Sequence, residues 1–200
     1  VTLFGEALPT DPQRLVQRGV ARVPEDRHAT GVVGDLPVWE NALSERLSTR
    51  AFSRLGWIRG APAQAHAANI VQRFDVRGGG LNAAARSLSG GNMQKLILGR
   101  ALTPPAGAPS ARLIVAHQPT WGLDIGAVAY VHQQLLDACA AGAALLLISE
   151  DLDEIFALAD RIAVMQRGRL GAARDTADWT LADIGLAMAG TMTSEAAHAA

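Results

Sequence analysis

The sequence predicts an α/β fold in which helices cover a parallel sheet. Apolar strands at Val20–Val23, Leu113–Ala116 and Ala144–Ser149 alternate with helices at Gly91–Leu102 and Gly126–Cys139. The strands are apolar at consecutive positions rather than at every second one, which is typical of parallel strands buried on both faces. The 200 residues are enough for one globular domain with its own core.

Shorter elements complete the N-terminal half. A strand at Val1–Leu3 ends at Gly5, and a short helix over Asp11–Arg18 has Asp11 as its cap and Pro12 in its first turn. Residues 35–88 are predicted to be mainly helical. The helices predicted there are Val38–Leu47 and Ala61–Phe74, followed by a flexible connector at Gly78–Gly80.

The C-terminal part predicts a helix over Leu152–Ala157 and a strand over Ile162–Gln166. Asp151 and Glu154 are spaced as a capping box at the start of that helix. We expect one partial domain over 1–190, with a helical subdomain at about 35–90 and an α/β core at 91–170. The small polar residues 191–200 are expected to be disordered.

Composition excludes several classes of protein. The net charge of -1 lacks the basic excess of nucleic-acid-binding proteins, so no nucleic-acid partner is expected. The longest apolar run, Ala143–Ile148, is far shorter than the roughly 20 residues that cross a bilayer, and no signal peptide is recognisable. Cys139 is the only cysteine, which excludes an internal disulfide and fits a reducing compartment.

A serine and two glycines, Ser89-Gly90-Gly91, precede the helix Gly91–Leu102. Glycines at a helix N-terminus let backbone N–H groups face outward, where they can bind a phosphate without a basic side chain. Taken alone, the tripeptide also fits an ordinary entry into a helix. The residues that flank it decide between the two interpretations.

Downstream, the strand Leu113–Ala116 runs into His117-Gln118-Pro119-Thr120-Trp121-Gly122-Leu123-Asp124. With Leu88–Lys95, this order resembles the ABC ATPase superfamily, in which an LSGGQ-type signature loop precedes a Walker B strand and a D-loop. Three further segments resemble the second ATP-binding half of bacterial simple-sugar and nucleoside importers: Pro24–Arg27, Val38–Asn41 and Asp124–Ala127. The resemblance covers roughly residues 1–175.

The resemblance implies an incomplete P-loop NTPase fold of the ABC ATPase type, truncated before its Walker A motif. A P-loop requires G-x-x-x-x-G-K-[ST], and the only lysine of the chain, Lys95, lies after Gln94 inside the signature helix. No Walker A motif can therefore lie within these residues.

The catalytic positions of the family are altered as well. His117 and Gln118 stand where the Walker B pattern has Asp-Glu, and Glu150 stands at the position of the switch histidine. Neutral histidine is a poor ligand for Mg²⁺, and glutamine can position water but cannot accept its proton. We therefore expect no catalytic residue and no metal site in this chain, which is predicted to be inactive alone.

In the family, each ATP lies between the Walker motifs of one half and the signature loop of the other. The resemblance thus implies ATP and Mg²⁺ held mainly by a partner ATP-binding half. Ser89, Gly90, Gly91 and Gln94 are the residues expected to contact that ATP. Asp124 of the D-loop is expected to couple the two sites, and Glu25 occupies the Q-loop position.

The same resemblance implies a membrane partner. Glu25 and helical residues at about 35–75 are expected to face a transmembrane permease subunit, with the chain peripheral at the cytoplasmic face of the inner membrane. The resemblance implies that the transported solute is a nucleoside or a sugar, and these residues do not identify which one. Ala116-His117-Gln118-Pro119-Thr120, which has no acidic residue, resembles the nucleoside type.

Other interpretations remain open. The chain is alternatively a non-catalytic remnant or assembly module that binds no nucleotide. An ABC protein of translation or repair is less favoured, because the basic excess is absent. His117 as a metal ligand is disfavoured by the scattered histidines, and Trp121 fits a structural role beside the turn better than stacking on a base.

Overall fold

The computed structural model describes residues 1–190, which form two compact units, Val1–Ile148 and a second unit that begins at Ser149. The tail predicted at 191–200 lies outside the described residues. The helices are α1 Pro12–Gln17, α2 Val38–Asn41, α3 Gly60–Arg73, α4 Gly90–Leu102, α5 Ile125–Ala140, α6 Leu152–Leu158 and α7 Leu181–Ala189. The strands are β1 Thr2–Leu3, β2 Glu6–Ala7, β3 Val20–Val23, β4 Ser53–Arg54, β5 Trp57–Ile58, β6 Leu113–His117, β7 Ala144–Ile148, β8 Arg161–Ile162, β9 Met165–Gln166, β10 Arg169–Leu170 and β11 Arg174–Asp175.

A three-stranded parallel sheet of order β3–β6–β7 lies at the centre of the first unit. Val20 lies opposite Leu113, and His117 lies opposite Ile148. This parallel sheet with its flanking helices confirms the predicted fold class. Because all three strands run in the same direction, the residues that follow Val23 and His117 emerge at one edge of the sheet.

Helix α4 is the central apolar element of this unit. Met93, Leu96, Ile97 and Leu98 are each 0% exposed. Fully burying an aliphatic side chain of this size contributes roughly 1.5–3 kcal/mol, so these four side chains strongly fix the position of the helix. The loop that precedes α4 is therefore attached to one of the best-packed parts of the molecule.

The region predicted as mainly helical differs from that prediction in its first half. α2 ends at Asn41 instead of Leu47, and the β4–β5 hairpin occupies residues 53–58. Asn41, which is 1% exposed, satisfies backbone groups with its side chain: it accepts from the Val33 amide at 2.8 Å and donates to the Val33 carbonyl at 3.0 Å. Such side-chain bonds to the backbone compete with helix propagation. The second predicted helix is confirmed as α3.

Helix α1 begins as the sequence predicts. The Asp11 carboxylate accepts a hydrogen bond from the Gln13 amide at 2.9 Å, and Pro12 is the first helical residue. The predicted strand Val1–Leu3 is observed as β1, which pairs with β2 in an antiparallel ribbon.

The second unit packs Ile162, Trp179 and Ile184 into a small core of its own. The single strand predicted at Ile162–Gln166 is wrong: β8 and β9 are separate and pair with different partners, β11 and β10. Asp151 caps α6 as expected, through the amides of Asp153 and Glu154. A reciprocal capping box is formed by Thr180 and Asp183 at the start of α7.

Part of the apolar surface of the first unit is open. Leu146 and Ile148 of β7 are 51% and 46% exposed, and Ile125 at the start of α5 is 90% exposed. Within residues 1–190, no helix has both the length and the apolar character needed to cross a membrane.

Candidate nucleotide-facing site

The Ser89–Gly91 loop begins α4 with its serine as the cap. The Ser89 hydroxyl accepts hydrogen bonds from the Asn92 amide at 3.4 Å and from the Asn92 side-chain nitrogen at 2.9 Å. Ser89 is exposed, while Leu88 just before it is 5% exposed and anchors the chain in the core. The first turn of a 13-residue helix is thus presented at the surface, where its backbone N–H groups and the helix dipole favour an anion.

Gln94, predicted to contact ATP, does not fit that role in this geometry. It is 2% exposed, and its Nε2 donates a 2.7 Å hydrogen bond to the carbonyl of Pro119. Gln94 therefore links the signature helix to the segment after β6 in this structure. An amide at the fifth position of a helix can face inward, and the motif alone does not reveal which way it points.

The single lysine has a structural role. Lys95 Nζ donates to the Asp75 carbonyl at 3.1 Å and to its carboxylate at 3.2 Å, and lies 5.0 Å from the centre of the Tyr130 ring. Hydrogen bonds from Arg77 and Lys95 lower the pKa of Asp75, and burial raises the pKa of Tyr130. Lys95 thus connects α4 to the end of α3 and to α5.

Arg27 lies beside the signature loop and is hydrogen-bonded to the turn after β6. Its Nη1 donates to the Trp121 carbonyl at 2.7 Å and its Nη2 approaches the Gly122 carbonyl at 3.4 Å. A Cβ on Gly90 would lie 3.1 Å from Arg27 Nη2, so glycine at this position admits the guanidinium beside the loop. In the sequence, Arg27 is part of the Pro24–Arg27 motif and has no predicted role. Its position just after the end of a predicted strand is the feature that points to a role at the site.

The strand end itself is tightly bent. Gln118 follows β6 with φ +48°, a left-handed conformation that is uncommon outside glycine and costs roughly 1–2 kcal/mol. Its amide donates to the Ile148 carbonyl at 2.8 Å, and its carbonyl accepts from the Trp121 amide at 3.2 Å. These bonds hold the backbone in the strained conformation and turn the chain back toward Arg27.

The structure brings Glu25 and His117 together. His117 Nδ1 lies 3.4 Å from Glu25 Oε2, and the two side chains are 43% and 56% exposed. Asp26 fixes the segment that carries Glu25, because its carboxylate accepts from the His28 and Ala29 amides at 2.9 and 2.8 Å. Those two bonds lower the pKa of Asp26. His117, expected at the Walker B position, and Glu25, expected at the Q-loop position, are therefore adjacent in the structure.

Asp124 acts as the cap of α5. Its Oδ1 accepts from the Ala127 amide at 2.9 Å, so its carboxylate is committed to the first turn of that helix. Trp121, three residues earlier, contributes its carbonyl to Arg27, while its side chain is 67% exposed. The structural role expected for Trp121 therefore belongs to its backbone.

Glu150 belongs to the second unit, where it precedes the cap of α6 and is exposed. The Asp151 amide donates to the Ser149 hydroxyl at 3.0 Å, which orders the turn that carries Glu150.

The donor set around His117 does not fit Mg²⁺. It offers one imidazole and one carboxylate in contact with each other, whereas Mg²⁺ requires near-octahedral oxygen ligands. Among residues 1–190, no group of three or more His, Cys, Asp or Glu side chains is arranged to hold a metal ion. The exposed loop at Ser89 does fit a phosphate, by its backbone donors.

The structure is similar to solved ATP-binding cassettes. The dimeric ATP-binding cassette MJ0796, solved bound to ADP and Pi, superposes with a TM-score of 0.66 over 88% of this chain and 72% of its own, at 19% identity. The chain has the ATP-binding cassette fold. No family model matches it.

Homologues of the cassette are ATP-binding proteins of nucleoside and sugar import. The guanosine import ATP-binding protein NupO of Bacillus subtilis is 38% identical over the whole chain, and the nucleoside import ATP-binding protein NupA of Lactococcus lactis is 37% identical over 90% of it. Further relatives are named for the import of glucose and ribose. The chain spans only 38% and 34% of the length of NupO and NupA.

Proposed function

We propose that this cassette is part of the nucleotide-binding component of a bacterial ABC importer, and that its Ser89–Gly91 loop completes an ATP site held mainly by a partner ATP-binding half. The observation that carries the proposal is the exposed, serine-capped N-terminus of α4, which offers backbone donors to an anion. The importer assignment is supported by the homologues and by the cassette fold.

In this proposal ATP supplies the phosphoanhydride bond, and Mg²⁺ belongs with the partner half. Ser89, Gly90 and Gly91 bind the terminal phosphate through N–H groups and the serine hydroxyl, and Arg27 holds the loop against the turn at Trp121–Gly122. Preorganised donors of this kind stabilise phosphate charge without further rearrangement. No step is assigned to His117 or Gln118, and the chain alone is proposed to be inactive.

We further propose that these residues correspond to the second, C-terminal half of such a component, without its Walker A motif. The engagement of Lys95 by Asp75 supports this reading, because it leaves no lysine for a phosphate of the chain's own site. Asp124 joins the coupling between the halves through α5, which it caps.

A membrane permease subunit is the second proposed partner, contacted through Glu25 and residues 35–75. The β4–β5 hairpin supports this, since Leu55, Trp57 and Ile58 are 91%, 81% and 49% exposed on it. Exposed large apolar side chains grouped on one element mark interaction surfaces. The component would then lie at the cytoplasmic face of the inner membrane.

A nucleoside is favoured as the solute, because NupO and NupA are named for guanosine and nucleoside import.

The decisive experiment measures ATP turnover by a partner half alone, by this chain alone, and by the two together. We expect no turnover by this chain and clear stimulation of the partner. Ser89→Arg should abolish the stimulation, because a long cation replaces the cap and blocks the loop. Ser110→Arg is the matched control, since it changes an exposed serine in the loop before β6.

Turnover by this chain alone would contradict the assignment of its Walker positions. Equal loss with Ser89→Arg and Ser110→Arg would show general damage rather than a role for the signature loop.

The remnant remains the second candidate, favoured by the exposed apolar side chains of β7 and Ile125. Under that candidate the partner half is not stimulated at all, and no ATP-dependent association of the two is seen in sedimentation.

A further inference from the structure

A cavity of about 290 Å³ lies in the first unit, away from the signature loop and the end of β6. Its walls come from three places: helix α1, the turns at 45–51, and the proline-rich loop Pro105–Pro109. None of the residues assigned to the nucleotide-facing site lines it. The volume is at the lower end of the range for small-molecule sites, which suits a ligand of a few atoms rather than a nucleotide.

Arg46 is the most unusual residue in the lining. It is 5% exposed, yet its guanidinium makes no hydrogen bond and no ion pair within 4.0 Å to any residue that the structure describes. Burial lowers the pKa of Arg46, while Glu45 opposes that effect from a greater distance. An arginine that is 5% exposed and has no close counter-ion is unusual, so an anion in the cavity that it lines would complete its environment.

The nearest carboxylate is already engaged. Glu45 Oε1 lies 2.9 Å from Arg22 Nε and 3.5 Å from Arg100 Nη2, so one carboxylate faces two guanidinium groups before Arg46 is counted. Arg100 is itself 4% exposed. The Arg22 side chain is 58% exposed, so the buried guanidinium groups near the cavity are those of Arg46 and Arg100, with Glu45 as the carboxylate close to them.

The segment that contains Arg46 is basic along its length. Residues 46–74 contain no Asp or Glu, and their arginines are Arg46, Arg50, Arg54, Arg59 and Arg73. Arg50 lines the same cavity as Arg46. The whole chain has a net charge of -1, so this local imbalance is not a property of its composition in general.

A second buried polar group lines the cavity. The hydroxyl oxygen of Thr49 is buried and has no hydrogen-bond partner among the described residues. Buried polar atoms are nearly always hydrogen-bonded, so an orphaned hydroxyl in the same cavity lining as Arg46 favours an acceptor within the cavity. A hydroxyl can also reorient to suit either a donor or an acceptor.

We propose that this cavity binds a phosphate-type oxyanion, with Arg46 as its buried counter-ion and Arg50 and Thr49 as further donors. Guanidinium groups match phosphate oxygens with paired N–H bonds, and apolar walls such as Val16 and Pro105 leave space for a small organic group on the phosphate. The ligand is either free inorganic phosphate or a small phosphate ester, or the headgroup of an anionic phospholipid. A free phosphate compound and a phospholipid headgroup both present phosphate oxygens to the arginines, and the experiment below distinguishes them.

The test measures binding of inorganic phosphate and glycerol 3-phosphate to the chain by calorimetry and thermal unfolding, with chloride at matched ionic strength as reference. Both ligands should bind with a saturable isotherm and raise the unfolding midpoint. Arg46→Met, which keeps an unbranched apolar stem but removes the guanidinium, should weaken binding at least about tenfold, equivalent to roughly 1.4 kcal/mol. Thr49→Val should weaken it less. Arg14→Met is the control, since Arg14 is 74% exposed on α1 and does not line the cavity.

Equal affinity of Arg46→Met and the unaltered chain would overturn the proposal, as would the absence of saturable binding to either ligand and to vesicles. If Arg46→Met does not fold, Thr49→Val and the response of the Arg46 Nε–H resonance to phosphate decide the matter. Vesicles containing phosphatidic acid distinguish the sources: Arg46-dependent sedimentation that phosphate displaces assigns the site to lipid, and binding in solution without sedimentation assigns it to a free phosphate.

Discussion

The signature loop and the end of β6 lie on either side of Arg27, yet they keep very different amounts of the chemistry expected of an ATP-binding cassette. On the signature side, Ser89 caps a long buried helix and presents its first turn to solvent. On the β6 side, His117 contacts Glu25 where the family pattern has carboxylates around Mg²⁺. In our proposal one side binds a phosphate, whereas the other is a contact between two side chains.

The difference follows from what each residue does for the fold. Ser89 and Gly90 serve the structure as well as a ligand, because one caps α4 and the other leaves room for Arg27. His117 and Glu25 are about half exposed, and a contact between side chains so accessible to water contributes little to stability. Residue types at the end of β6 can therefore change without disturbing the sheet, whereas those of the signature loop cannot change without disturbing α4.

The largest effect is expected at Gly99, which sets how closely α4 packs on α3. A Cβ there would lie 2.5 Å from Ile70 Cγ2 and 3.1 Å from Phe74 Cδ2. Gly99→Ala should therefore lower the free energy of unfolding of the first unit by about 1–3 kcal/mol through overpacking. Chemical denaturation monitored by circular dichroism measures the change.

Gly185→Ala is the matched control, because a Cβ on that helical glycine meets no atom within 4 Å. It should stabilise the second unit by roughly 0.5–1 kcal/mol, since alanine is the better helix former. Stabilisation by Gly99→Ala as well would show that the α3–α4 contact tolerates the added carbon and that α4 is held less rigidly than we argue.

The next effect concerns the connection between the two sides. Arg27→Met removes the donors to the Trp121 and Gly122 carbonyls and leaves the signature loop without its neighbour. A hydrogen bond from a charged donor contributes roughly 1.5–3 kcal/mol, so we expect stimulation of the partner half to fall about tenfold or more. The ATPase assay with the partner half measures it. Arg14→Met should leave stimulation unchanged, and unchanged stimulation by Arg27→Met would show that the two sides act independently.

The elements predicted from the sequence are correct where local signals and burial agree. The pattern of apolar strands and helices predicted the parallel sheet, and Asp11 and Asp151 cap their helices as predicted. The predicted helix Val38–Leu47 is wrong in its second half, because the Asn41 side chain bonds to the backbone. The predicted strand Ile162–Gln166 is wrong because β8 and β9 pair with different strands. The inward direction of Gln94 and the reach of Arg27 depend on packing between distant segments, which no local pattern contains.

A smaller effect is expected from restoring a carboxylate at the end of β6. His117→Asp places a second carboxylate beside Glu25, and like charges so close should destabilise the region until a cation binds between them. Millimolar Mg²⁺ should then raise the unfolding midpoint of the variant, with a stabilisation of about 1.4 kcal/mol at tenfold excess over Kd. His132→Asp on α5 and the unaltered chain should not respond. A similar Mg²⁺ response in all three would indicate non-specific binding.

The smallest effect is a difference in pH dependence between the two sides. The segment that carries Glu25 is capped by the carboxylate of Asp26, whereas the signature helix is capped by the hydroxyl of Ser89. Hydrogen bonds from the Ala29 and His28 amides lower the pKa of Asp26, so its cap is complete above the pKa of the unfolded chain and is lost as pH falls through the lower folded pKa. The Ser89 cap does not titrate. Amide resonances of His28 and Ala29 should therefore shift on acidification with a midpoint below that of an ordinary aspartate, while the Asn92 amide stays constant over the same range. Asp26→Asn, which keeps a capping oxygen without a titrating group, should abolish the shift at His28 and Ala29. If the Asn92 amide moved in step with them, acid would be loosening both sides at once, and the Glu25 segment and the signature loop would have to be treated as a single cooperative unit joined through Arg27.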